Sequence, residues 1–388
     1  MDMIGRIPGM PGRRDVSMGR ELALMARRMS RINHPGLWGR TMGIVRYALD
    51  RGRDGVFAVA ESDLADHPAA RRVLRETIRG ACERSAETVG VGTYRETVLF
   101  AIPVTVAGHA PSVKLGGRPI DAGRLEDLFH RHGVVGPHER LHLLPRLYGS
   151  HRLRILPSGR ASLRDAMLRG VLDGRPPSTD ALDHPVFNPP PVHIEDSMRF
   201  EELFLVGVFV AEGAAGAASR MIPHRAATPD APVMEAFERW HDVFQGELGG
   251  QARLLADGRV GPRFEVVCGT PMHFSQALDE GVAFLRALRV VTRATPAIRR
   301  TLSGGEPVEA RVWGRVRPVA GDSLVRLRVD AIGGDPVYDR DEMLDDFEPL
   351  DCVLDDVARL LDNPMVLDVQ VYAGPQAPGG MEGPTRKG

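Results

Sequence analysis

LFAIPVTVAGHA (99–110) and LFLVGVFVAEGA (203–214) are the two runs on which the reading of this chain turns. Laid over one another they agree at Leu99/Leu203, Phe100/Phe204, Val104/Val208, Val106/Val210, Ala107/Ala211 and Ala110/Ala214. Each has the length and β-branched content of a strand, and each is followed by a helical pattern: RLEDLFHRH after the first and PVMEAFERWHDVF after the second. Those helices align through Phe129/Phe237 and Arg131/Arg239. A further strand and helix then follow in each half. HRLRIL and SLRDAMLRGVL stand against RFEVVC and PMHFSQALDEGVAFLRAL, matching Ile155, Leu156, Ala166, Gly170 and Val171 to Val266, Val267, Ala277, Gly281 and Val282. The same order of four elements in two halves predicts a duplicated βαβα unit.

Outward from the duplicated core, VSMGRELALMARRMSRI carries Leu22, Met25, Met29 and Ile32 near 3.6-residue spacing and predicts a helix, paired with LWGRTMGIVRYAL beyond the break at Asn33–Gly36. FAVAE reads as a strand, followed by a charged helix, HPAARRVLRETIRGACERSA. RPPSTDALDHPVFNPPPVH, with six prolines between Pro176 and Pro191, reads as a linker or strap. After Pro296 come VEARVWGRVRPV and SLVRLRVDAIG as a hairpin, an acidic stretch, VLDDVARLL as a helix and MVLDVQVYA as a strand.

The expected class is therefore α/β to α+β. A basic helical segment (1–55) precedes a first α/β unit (56–175), and a proline-rich linker (176–198) leads to a second unit (199–300). A ββαβ portion (301–373) and a disordered tail (374–388) complete the chain.

Charge and cysteine content bound the function. With 50 Lys and Arg against 51 Asp and Glu, no global field draws the chain to nucleic acid or a membrane. Locally, residues 1–55 hold eleven Arg against five acids, and residues 330–368 hold thirteen acids against two Arg. Cys82, Cys268 and Cys352 are odd in number and lack metal or disulfide spacing, which fits a reducing cytoplasm. The longest apolar run, LFLVGVFVA (203–211), has nine residues where a membrane-spanning helix needs about 20.

The sharpest chemical motif is HERLH within GPHERLHLLP (136–145). On a helix, H-E-x-x-H sets His138 and His142 as zinc ligands with Glu139 as general base, and His151 or Asp165 would complete the set of a hydrolase. Pro137 and Pro145 leave room for about two helical turns, and Arg140 places a cation between the ligands, so locally bonded histidines in a loop or short strand are expected instead. Cys268, at the end of an apolar strand ahead of Pro271 and His273, could serve as a nucleophile with His273 as base; a buried, inert thiol explains it equally well. AEGAAGAAS lacks the first glycine of a dinucleotide fingerprint, and no phosphate-binding loop motif occurs. DRDEMLDDFEPLD reads as an acidic loop leading into a helix.

With no cofactor implied, the favoured function is a non-catalytic binding or assembly protein. Its two halves pack as a pseudo-dimer, and its basic and acidic ends meet a protein partner or a second copy. The zinc hydrolase is the enzymatic alternative. Nucleic-acid binding through Arg13, Arg14, Arg20, Arg27, Arg28 and Arg31 in residues 1–55 is the third.

Overall fold

The computed structural model describes residues 12–32, 34–109, 115–149, 155–174, 192–193, 198–213, 231–255, 265–305, 307–316, 323–332, 336–344, 350–362 and 366–373. The Pro-rich stretch up to Pro191, the tail from residue 374, the glycine-rich segment from residue 214 and His151 lie outside them.

Four helices open the fold: α1 (Arg13–Met29), α2 (Pro35–Asp50), α3 (Gly55–Asp63) and α4 (Pro68–Glu83). The Asp15 carboxylate accepts from the Gly12 N–H at 3.0 Å and caps α1, whose Leu22, Met25, Ala26 and Met29 are buried on the inner face. Leu22, Met25 and Ala26 pack with Val45, Phe57, Leu74 and Cys82 into one helical core. FAVAE is thus part of a helix and not a strand. Val56, Phe57 and Ala60 fall on one helical face and are buried there, which an alternating strand at this place would not achieve. The helical segment accordingly continues past residue 55 to Glu83.

The main sheet is built on the two opening runs. β1 (Arg84–Gly90) and β2 (Thr93–His109) form a hairpin, with β3 (Glu139–Gly149), β4 (Val192–His193), β5 (Met198–Gly213), β6 (Glu265–Cys268) and β7 (Met272–His273) completing seven antiparallel strands. β2 and β5 lie side by side at the centre, with Ala101 opposite Val206 and Ile102 opposite Leu205. Exchanging the two runs interchanges these pairs, so a pseudo-twofold axis passes between them. The flanking strands obey the same exchange. β3 pairs with β5 through Glu139↔Ala211 and His142↔Val208, and β6 pairs with β2 through Glu265↔Ala107 and Cys268↔Val104. Each half therefore lays its third strand against the central strand of the other.

That register corrects one alignment. The third strand of the first half is ERLHLLPRLYG (139–149); of the expected strand HRLRIL, residues 151–154 lie outside the described residues, and Ile155 and Leu156 lead into a helix. The counterpart of Leu143 opposite Gly207 is Gly269, whose N–H donates to the Pro103 carbonyl at 2.8 Å. Both third strands are interrupted at a proline: β3 shifts register between Leu143 and Leu147 around Pro145, while Pro271 separates β6 from β7.

Helices α5 (Ala122–Arg131) and α7 (Ala231–Leu255) cover one face of the sheet, where Phe129, Trp240 and Phe244 meet Phe100, Leu205 and Phe209. α6 (Pro157–Asp173) and α8 (Phe274–Ser303) cover the other, with Met167 and Phe274 on Leu99, Phe204 and Val208. Burial on both faces is why the two central runs are continuously apolar instead of alternating. α8 then continues past the sheet. Its Ala283, Ala287, Val290, Ala294 and Ile298 cover a second sheet of β8 (Val308–Val316), β9 (Ser323–Ala331), β10 (Pro336–Leu344) and β11 (Val366–Ala373), together with α9 (Leu350–Leu361). The strand order is β10-β9-β8-β11, with β8 and β11 parallel. The hairpin forms as expected, whereas the acidic stretch after it contains strand β10, because its alternate residues Tyr338, Arg340 and Glu342 register with the inward Val329, Leu327 and Val325.

Candidate functional site

His138 stands in the turn just before β3, and Glu139 to His142 are the first four residues of that strand. The motif is therefore not helical, and the i, i+4 facing that would set His138 and His142 on one metal is absent. The Glu139 carboxylate is turned back on its own turn, accepting from the Gly136 N–H at 2.6 Å. His142 Nδ1 lies 3.2 Å from Glu126 Oε1, an oxygen that also accepts from the Leu143 N–H at 2.6 Å. Exposed His138 lines a hollow of about 140 Å³ with Pro137, Arg140, Val210 and Glu212. Asp165 is paired with Arg164 at 2.7 Å. Among the described residues no three His, Cys, Asp or Glu side chains are grouped as metal ligands would be.

Cys268 and His142 occupy equivalent positions about the pseudo-twofold, opposite Val104 and Val208. The thiol is buried, and burial, reinforced by the charge of Glu202, pushes its pKa up to about 12. Its carbonyl oxygen contacts His241 Nε2 at 2.8 Å. His273 opposes Phe100, four positions along β2 from the partner of Cys268, about 13 Å away at about 3.3 Å per residue. The thiol and the imidazole are thus not a nucleophile–base pair in this geometry.

The perturbed groups lie elsewhere. Glu202 is buried in β5 and accepts from Thr105 Oγ1 at 2.6 Å; burial first, then the field of Asp356, raises its pKa to about 8 against the Thr105 hydrogen bond. Glu83, at the end of α4, is raised by burial while Arg160 and Ser275 oppose the shift. It accepts from the Ser275 N–H at 3.1 Å and lies 3.2 Å from Arg160. With the Arg79–Asp279 pair, this polar joint locks the helical segment to α6 and α8. Two acids, Glu201 and Glu202, directly preceding an apolar run were the sequence signal for the first of these groups. Glu83 had none.

A hollow of about 310 Å³ lies between α8 and β10, lined by Val290, Arg293, Tyr338, Arg340, Asp341 and Glu342. Glu342 holds Arg286 at 3.0 Å, Arg289 at 3.9 Å and Arg293. Arg286, Arg289 and Arg293 share one helix face at three- and four-residue spacing.

The end-to-end charge asymmetry is partly cancelled by folding. Arg326 meets Asp339 and Asp341, Arg311 and Arg328 meet Asp330, and Arg359 meets Asp356. The basic end keeps its charge outward: Arg13, Arg14, Arg20, Arg28 and Arg31 are exposed, Arg14 lies over the Tyr47 ring, and Arg27 donates to the Asp63 carbonyl.

Comparison with known proteins adds nothing to this geometry: no family model, curated protein or solved structure matches the chain. No described helix is long and apolar enough to cross a membrane.

Proposed function

We propose that this chain is a non-catalytic assembly protein whose basic α1 face meets the acidic surface of a second copy. One observation carries the reading. Outside its buried stripe, α1 presents Arg20, Leu24 and Arg28 in a row of four-residue spacing that runs on into Arg31 and Ile32, with Trp38 just beyond on α2. Leu24, Ile32 and Trp38 are 49%, 61% and 40% exposed. The helical core is complete without them, and exposed Trp and Arg beside aliphatic side chains have the composition of binding hot spots.

The complementary surface is the outer side of α9, with Asp355 exposed on the helix, Asp362 exposed just past its end and Asp368 exposed on β11. Joining unlike surfaces of identical chains gives a head-to-tail contact.

Sedimentation velocity tests this. Association is expected at about 0.05 M salt and dissociation near 1 M, as screening shortens the reach of charge. Arg28→Glu/Arg31→Glu should abolish it, and Asp355→Lys/Asp362→Lys in a second chain should restore it. A monomer at every salt concentration overturns the proposal. The same arginine stripe favours nucleic acid as a second reading, which predicts a steep salt dependence of binding that disappears when residues 1–50 are deleted.

A further inference from the structure

The inner face of the C-terminal sheet is apolar on β8 and β9, with Val308, Ala310, Val312, Val325, Leu327 and Val329 all buried under α8 and α9. At the edge strand the chemistry changes. In the same inward register β10 supplies Tyr338, Arg340 and Glu342, and the helix opposite supplies Arg286, Arg289 and Arg293 around Val290. A sheet edge of this kind needs only a short apolar side chain or solvent. Here it encloses a hollow of about 310 Å³, at the lower end of the range for small-ligand sites.

We propose that the hollow between α8 and β10 binds a small phosphate-bearing anion, held by Arg293 and Arg340 with the Tyr338 hydroxyl as a further donor. Glu342 is the positioning residue. It draws the α8 guanidiniums toward the hollow, and a guanidinium held by one carboxylate keeps N–H groups directed elsewhere in its planar fork. Arg293 remains 57% exposed while paired with Glu342. Arg340 is exposed, lines the hollow and makes no ion pair with a described residue. Asp341, the other acid at the rim, lies 3.7 Å from Arg326, a residue of the neighbouring strand. Burial, acting before the opposing fields of Arg293 and Arg340, raises the Tyr338 pKa, which keeps its hydroxyl a hydrogen-bond donor. The chemistry selects oxyanions with several acceptor oxygens over halides, and anions over divalent cations.

Calorimetric titration of the full chain at fixed ionic strength decides the matter, with inorganic phosphate in one arm, glycerol phosphate in another, and chloride and Mg²⁺ as controls. Saturable binding of phosphate is expected, weakened about tenfold or more by Arg340→Gln, which removes an exposed side chain and leaves the fold intact, and several-fold by Tyr338→Phe. Glycerol phosphate binding as tightly as inorganic phosphate identifies the phosphoryl group as the whole determinant. Tighter binding of the ester extends the site along β10. No phosphate heat beyond the chloride control, equal affinity in Arg340→Gln, or preferential uptake of Mg²⁺ overturns the proposal. Each of these results is independent of self-association through α1.

Discussion

Thr105 and Glu202 face one another across the central strand pair, the hydroxyl donating to Glu202 Oε2 at 2.6 Å in an otherwise apolar setting. Gly281 of α8 permits this arrangement, since a Cβ there would come within 2.8 Å of Glu202 Oε1 and 2.7 Å of Phe204. A carboxyl with a neutral donor and no cation is favoured as the protonated acid, which is the physical origin of its raised pKa.

The pH dependence follows with a definite sign. The folded pKa of Glu202, about 8, lies above the ordinary glutamate value of 4.5, so the folded chain holds this proton more tightly than the unfolded one. Its contribution is fully present below about pH 4.5 and is lost as pH rises through about 8, at a limiting slope of roughly 1.4 kcal/mol per pH unit. Glu202→Gln should flatten the stability–pH curve over this window in urea titrations and be the more stable protein at pH 8. An unchanged slope would show that the proton resides elsewhere.

Close approach at the pseudo-twofold axis predicts a second effect. A Cβ on Gly207 would lie 2.4 Å from Phe100 Cζ and 2.9 Å from Leu143 Cδ2. Gly207→Ala should destabilise the fold by about 1–3 kcal/mol, the usual cost of overpacking. Phe100→Leu in the same chain should recover part of it, giving a non-additive double-mutant cycle; simple additivity would place the strain elsewhere.

Arg164 anchors the end of α4, donating from Nη1 to the carbonyls of Ala81, Cys82 and Arg84 at 3.0, 3.1 and 3.0 Å. These are terminal acceptors that the helix itself cannot satisfy. Arg164→Met should lower the unfolding free energy by roughly 3 kcal/mol, in the range for charged hydrogen bonds, with Arg164→Lys between it and the parent. Equal stability of Met and Arg variants would remove the anchoring role.

Thiol chemistry tests Cys268 directly. Burial raises both Cys82 and Cys268 to about 12, leaving almost no thiolate at neutral pH. Native protein treated with a disulfide reagent at pH 8 should modify at most Cys352, with the other two reacting only after unfolding. Rapid labelling of Cys268, located by peptide mass, would restore it as a nucleophile.

The duplicated halves were legible because their central strands are long, apolar and similar, and the helix spacing around Leu125, Leu128 and Phe129 is regular. Misplacing the third strand has a physical cause. Pro145 interrupts HERLHLLPRLYG, and its His, Glu and Arg residues hide the buried alternation of Leu141 and Leu143. The β10 edge was obscured in the same way, by charges whose partners lie far away in sequence, such as Arg286 and Arg293 for Glu342. Local periodicity carries no record of such partners.

Local spacing and propensity were enough to specify a mixed helix-and-sheet chain with two related apolar runs, a helical basic start and a C-terminal hairpin. Long-range packing sets the third strand of each half against the other half, makes ERLH (139–142) extended, and buries Glu83 and Glu202. It also brings Arg293 and Arg340 to one hollow beside Glu342. Strand partners and burial are set by long-range contacts whose free energy depends on the whole assembled core.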